Sequence, residues 1–203
     1  IVKKNIKAVL SLLEFDTTKA PISPEKGSLE ALHSIFFPSG NYSPLVVNNG
    51  VLYFHINVPD LADPSQLGAY GCEDLLPSSV LFIEYAMRLG NVLVHCEKGQ
   101  RRSPTVFLAW LCLHKISLVD AIDEIAINYE GDEDWGESYK RHRSLWINGP
   151  LDKWQSKSKS ICKKWIDSHR GIVKSWSDMC FINNPKKVLV KRKRRDFESD
   201  ENK

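Results

Sequence analysis

The chain has 203 residues, 42% of them hydrophobic and 10% aromatic, with 28 Lys+Arg against 25 Asp+Glu for a formal net charge of +3. That composition supplies one core of the usual ~100–150-residue size plus an appendage, and it excludes a disordered polyelectrolyte. No run of 18 apolar residues occurs, which excludes a membrane-spanning helix, and the five cysteines (Cys72, Cys96, Cys112, Cys162, Cys180) show no paired spacing, which points to a reducing compartment.

In chain order, Ile6 to Leu13 and Val51 to Val58 read as strands. Between them Pro21, Pro24, Pro38 and Pro44 break a long connection that carries an apolar patch, Leu29 to Phe37, with the character of a short helix. A helix is expected over Ser78 to Leu89, where Val80, Phe82, Ile83, Tyr85 and Met87 supply the apolar positions, with Gly68 to Pro77 ahead of it as an insertion. Val92 to His95 is short, β-branched and apolar, as a buried parallel strand is. Ser103 to Lys115 follows with helical periodicity and sets Val106, Phe107, Trp110 and Leu113 on one side; Ser117 to Tyr129 is a further helix, closed by the acidic loop Glu130 to Asp134. Strands alternating with helices predict an α/β fold with a central, mostly parallel sheet flanked by helices and a ligand site at the strands' carboxyl ends.

Residues 151–180 have a different character. Trp154, Trp165 and Trp176 recur every eleven positions, with Lys153, Lys157, Lys159, Lys163, Lys164 and Lys174 among them, so a basic amphipathic helix is expected. Its tryptophans either dock it on the domain or face a membrane surface or nucleic acid. The run Lys191 to Arg195 is five consecutive cations followed by an acidic end, Asp196 to Glu201, which reads as a nuclear-import signal or a polyanion-binding tail. Cytoplasmic or nuclear residence is therefore expected. The first residues, Ile1-Val2-Lys3, carry neither an initiator Met nor a signal peptide, as in a chain trimmed from a longer one.

The stretch with chemical content is His95-Cys96-Glu97-Lys98-Gly99-Gln100-Arg101-Arg102-Ser103-Pro104-Thr105, lying between the predicted strand and helix. Five residues separate Cys96 from Arg102, so a tight loop can set the sulfur beneath a tetrahedral oxyanion and the guanidinium fork on its oxygens. Loop amides from Glu97 to Arg102, with the open N–H groups and positive dipole end of the next helix, make an anion nest. Gly99 suits a sharp curl of backbone, and Pro104 suits a first helical turn, where its missing N–H costs nothing. The same field favours a Cys96 thiolate, the form that attacks phosphorus. Ser103 can donate to that sulfur and assist its departure, while His95 orients the loop better than it serves as a base.

These residues resemble the signature loop of the cysteine-dependent dual-specificity protein phosphatases, His-Cys-x-x-Gly-x-x-Arg-Ser-Pro-Thr. The likeness extends more weakly from Ile6 to Leu145, through Ile6 to Leu13 as an early strand and Tyr53 to Asp60 as the strand that delivers the family's catalytic acid. It implies a phosphatase-like catalytic domain over 1–147, followed by a Trp/Lys-rich helical extension over 148–184 and a basic-then-acidic, disordered tail over 185–203. It further implies hydrolysis of phosphotyrosine and phosphoserine or phosphothreonine in proteins through a phosphocysteine intermediate, with no cofactor. No Cys or His pair has zinc-like spacing, and no metal is expected.

Chemistry independently demands a carboxyl that protonates the leaving oxygen and later activates water. Asp60 follows the second strand and is the better placed; Asp63 is the alternative, and each also reads as an exposed loop carboxylate. Three departures from the family pattern stand out: Arg101 where a small residue is usual, Lys98 within the loop, and the Gly68 to Pro77 segment. Extra charge at Lys98 and Arg101, partly offset by Glu97, leaves open phosphoinositides or RNA 5′-phosphates as substrates. A catalytically weak phosphate-binding module with the same loop is the remaining alternative.

Overall fold

In a computed structural model the described residues are 5–14, 35–36, 42–58, 72–97, 99–128, 143, 146–147 and 150–183. Among them four strands and five long helices follow one another: β1 (Ile6–Leu13), β2 (Leu45–Asn48), β3 (Val51–Asn57), α1 (Cys72–Ala86), β4 (Asn91–His95), α2 (Arg102–Leu113), α3 (Leu118–Asn128), α4 (Pro150–Ser168) and α5 (Arg170–Asn183). The strands form one sheet in the order β2-β3-β1-β4, flanked by helices, so the class is α/β.

That sheet is mixed rather than mostly parallel. β1 pairs in parallel with β3 and β4, but β2 runs antiparallel to β3, with Asn48 opposite Val51. The cause is local: Asn49 and Gly50 join β2 to β3 with φ of 50° and 72°, the left-handed pair that closes a two-residue hairpin in step with strand twist. Asn and Gly tolerate those angles, and the turn residues dictate the strand direction.

β1 is the hub. Ala8 to Leu13 are all buried, as expected for an inner strand covered on both faces. Its register places Ser11 beside His95 and Leu13 beside Asn57, so the carboxyl ends of β3 and β4 emerge on either side of the end of β1. His55, 1% exposed, pins that end: the Tyr42 hydroxyl lies 2.8 Å from Nδ1, and Nε2 lies 3.0 Å from the Leu13 carbonyl. Burial pushes the Tyr42 hydroxyl up to about 12, so it stays protonated and donates, leaving Nε2–H to donate to Leu13. The amide of Val58 donates to the same Leu13 carbonyl at 3.0 Å.

Helix α1 starts six residues ahead of the expected Ser78 and takes in six of the ten residues of the expected insertion, Gly68 to Pro77, with Pro77 inside it. A proline near a helix start removes one amide without ending the helix, so reading it as a stop places the boundary too late. From the apolar patch Leu29 to Phe37, Ile35 and Phe36 are described; they are helical, and Phe36 is fully buried against Tyr53 and His55.

The single basic helix expected over 151–180 is two, broken at His169 between α4 and α5. Its three tryptophans face inward: Trp154, Trp165 and Trp176 are 1%, 6% and 1% exposed and belong to the same buried cluster as Leu10, Phe54, Phe82 and Val106. Trp176 contacts Phe54 and Phe82 edge-on, with centroids at 5.3 and 6.0 Å, and stacks on Trp165 at 5.6 Å. The indole of Trp154 donates to the Ala109 carbonyl of α2 at 2.8 Å. The docked arrangement is the one adopted, and no helix among the described residues is long and apolar enough to cross a membrane.

Candidate active site

Cys96 is the first residue past β4 and Arg102 the first of α2, so the loop between them turns at the carboxyl edge of the sheet. Its sharpest bend is at Gly99, where φ is +71°, a region that side chains rarely adopt. Arg101 is the N-cap of α2 and its side chain makes no capping hydrogen bond, which leaves the first amides of the helix available to something else.

The cysteine sulfur occupies that role. Its Sγ lies 3.3 Å from the Ser103 hydroxyl, and the amides of Ser103, Gly99 and Arg101 also hydrogen-bond to it. Burial alone would push the Cys96 thiol up, since the side chain is 8% exposed. The Ser103 hydroxyl and the three amides outweigh burial and hold Cys96 below the usual thiol range. Donors of the loop and of the first helical turn are thus satisfied by the buried sulfur, which is the physical core of the site.

Arg102 is 6% exposed, an unusual position for a guanidinium, and both of its terminal nitrogens have a partner. Nη1 donates to the Val58 carbonyl at 2.9 Å, and Nη2 lies 3.6 Å from the Glu97 carboxylate. One cation therefore links the loop, through Glu97, to the end of β3, through Val58. Behind the loop the indole of Trp146 donates to Thr105 Oγ1 at 3.0 Å, and that hydroxyl donates to the Arg101 carbonyl at 2.8 Å.

His95 is half-buried, and burial pushes its imidazole below the usual range, a shift that hydrogen bonding to the Cys96 backbone only partly offsets. It is neutral near pH 7 and braces the loop from beneath. Its Nε2 and the hydroxyl of Ser11, which stand side by side in register on β4 and β1, are buried without a hydrogen-bond partner among the described residues.

Of the residues read from the sequence, Gly99, Arg101 and Ser103 come together around the Cys96 sulfur, while Arg102 carries its guanidinium to Val58 and Glu97. Gln100 and Arg101 are half-buried, and Glu97 is exposed and near Arg102. Lys98, Asp60 and Asp63 lie outside the described residues, although Val58, two positions before Asp60, is held directly by Arg102. Sequence reasoning missed Val58 and Trp146 as supports. A backbone carbonyl leaves no trace in residue type, and Trp146 lies 41 residues from the threonine it braces. Among the described residues no group of His, Cys, Asp or Glu is arranged to hold a metal ion. In comparisons with known proteins, no family model matches the chain and no solved structure matches it.

Proposed function

We propose that the chain is a cysteine-dependent phosphatase acting on phosphorylated protein side chains, with the phosphatase-like fold that its loop motif resembles. The observation that carries this reading is the Cys96 sulfur held below the usual thiol range by the Ser103 hydroxyl and the amides of Gly99, Arg101 and Ser103, with Arg102 anchored at the loop's end. A structural cysteine gains nothing from such a cradle: Cys112 and Cys162, buried among apolar groups, are pushed up to about 11.

In the proposed reaction Cys96 Sγ attacks phosphorus in line as the bond to the ester oxygen breaks, and Asp60 delivers its proton to that oxygen. Loop amides and Arg102 hold the equatorial oxygens, whose charge rises in the transition state. The ionised Asp60 then takes a proton from water, which attacks the phosphocysteine; inorganic phosphate leaves and the Ser103 hydroxyl stabilises the departing thiolate. Neutral His95 is outside the proton path, consistent with a nucleophile that is already ionised. The basic tail, Lys191 to Arg195, is proposed to give access to the nucleus.

Hydrolysis of a small aryl phosphate by the wild type, Cys96→Ser, Asp60→Asn and Asp63→Asn tests the assignment. Activity is expected to vanish with Cys96→Ser and to fall about 10²–10⁴-fold with loss of the acid. A folded wild type without turnover refutes the enzyme reading, and loss with Asp63→Asn alone moves the acid to that residue.

A further inference from the structure

Charge in this chain is strongly segregated. Residues 150–195 hold 14 of the 28 Lys+Arg but only three of the 25 Asp+Glu, a local charge of +11 in a chain of net +3, so the remainder carries −8. Among the described residues of that segment five of the six lysines sit on one helix, Lys174 being on α5: Lys153, Lys157, Lys159, Lys163 and Lys164 of α4 are all exposed and make no ion pair among the described residues. At 100° per residue, Lys153, Lys157 and Lys164 lie within about 40° of one another, a stripe running along the helix axis. Beside it a cavity of about 450 Å³ brings Lys115, from the turn between α2 and α3, alongside Lys157 and Lys159. Gln155 Oε1 accepts from the Leu118 amide at 3.1 Å there, which leaves its amide NH₂ as another donor.

We infer that this α4 face binds the phosphate backbone of nucleic acid by charge alone, without reading bases. Three features select that partner. A bilayer-surface helix needs an exposed apolar face, whereas the apolar side of α4 is spent on the core and none of the exposed large hydrophobic side chains among the described residues lies on it. Protein interfaces anchor on Trp, Tyr and Arg, but the α4 tryptophans are buried and Arg170, just beyond it, already pairs with Asp167 at 3.3 Å. Base stacking needs exposed aromatic rings, and α4 offers none. An axial row of exposed ammonium groups without an ion pair among the described residues remains, suited to a polymer with evenly spaced charges.

The inference does not rest on the phosphatase reading. Its test is fluorescence anisotropy of the full chain with labelled 20-nucleotide oligo-U and oligo-A between 50 and 300 mM KCl, for the wild type and for Lys153→Gln/Lys157→Gln/Lys164→Gln. The wild type is expected to bind both oligonucleotides within about twofold. The variant is expected to bind at least tenfold more weakly at 50 mM, with a salt slope reduced by about 2, at roughly 0.7 for each phosphate that a lysine no longer neutralises. Thermal melting shows that the variant is folded, because all three side chains are exposed. Unchanged affinity in the variant overturns the inference by assigning binding to the tail. Tighter binding of poly-glutamate or phosphatidylserine vesicles than of the oligonucleotides, at equal charge concentration, overturns it in favour of an acidic protein or a membrane.

Discussion

Arg102 donates from Nη1 to the main-chain carbonyl of Val58 across 44 residues of sequence, at 2.9 Å. The bond crosses from the loop after Cys96 to the end of β3, so one side chain ties that loop to the strand end two residues before the proposed acid, Asp60. Lysine cannot reproduce this, having no planar fork to serve Val58 and a phosphate together. Arg102→Lys is expected to lower kcat/KM for an aryl phosphate by about 10²–10³. It should also cost about 1–3 kcal/mol in urea unfolding, because the Val58 carbonyl is left buried without its donor. Lost activity at unchanged stability would mean that the Val58 hydrogen bond contributes nothing to holding the loop.

The contrast among the buried thiols gives a second expectation. Burial raises Cys112 and Cys162 to about 11, whereas Ser103 and the loop amides lower Cys96 despite its burial. Only a thiolate alkylates, so iodoacetamide at pH 7 should label Cys96 ahead of Cys112 and Cys162, as read by peptide mass mapping. Ser103→Ala removes one of the donors to the sulfur; the alkylation profile should move to higher pH and turnover should fall about tenfold, the equivalent of one charge-assisted hydrogen bond. A profile identical to wild type would show that the hydroxyl does not stabilise the thiolate.

The loop is legible in the sequence because each position answers a local demand: an apolar strand before Cys96, a residue free of backbone restriction at Gly99, a proline in the first turn of α2. The α/β class follows from periodicity alone. The β2–β3 hairpin is equally local, since Asn49-Gly50 is a strong two-residue turn signal, but it is easily passed over because β2 spans only Leu45 to Asn48 and follows Pro44. The break at His169 is hidden by the eleven-residue tryptophan spacing, which a straight helix would satisfy as well as two helices turned onto one core do. What no local pattern carries is pairing at long range: His55 against Leu13 follows the register of β1 with β3, while Trp146 against Thr105 and Arg102 against Val58 depend on how the helices pack on one another and on the sheet.

Gly99 isolates backbone geometry from packing. Its φ is +71°, but a Cβ placed there would meet nothing within 4 Å. Gly99→Ala therefore costs only the left-handed conformation, about 1–2 kcal/mol, with no steric clash added. The protein should stay folded while the Gly99 amide relaxes away from the sulfur, so turnover and the pH of alkylation move together. Gly99→Asn, which tolerates the same region better, should recover part of both. Equal losses in the two variants would point to side-chain bulk against the substrate.

Trp154 and Trp176 are each 1% exposed, yet their indole N–H groups have opposite fates. Trp154 donates to the Ala109 carbonyl at 2.8 Å, while Trp176 Nε1 is buried with no acceptor among the described residues. Trp→Phe removes the same atoms at both sites, so the transfer and cavity contributions largely cancel in a comparison. What differs is the polar atom: Trp154→Phe loses a hydrogen bond, and Trp176→Phe relieves a buried donor of its desolvation cost. Trp154→Phe is therefore expected to be the more destabilising by about 1–2 kcal/mol in urea melts, although Trp176 sits deeper among aromatic rings. Reversal of that order would require an acceptor for Trp176 Nε1, and an ordered water or a residue beyond those described would then be part of the core that holds α5 to the sheet.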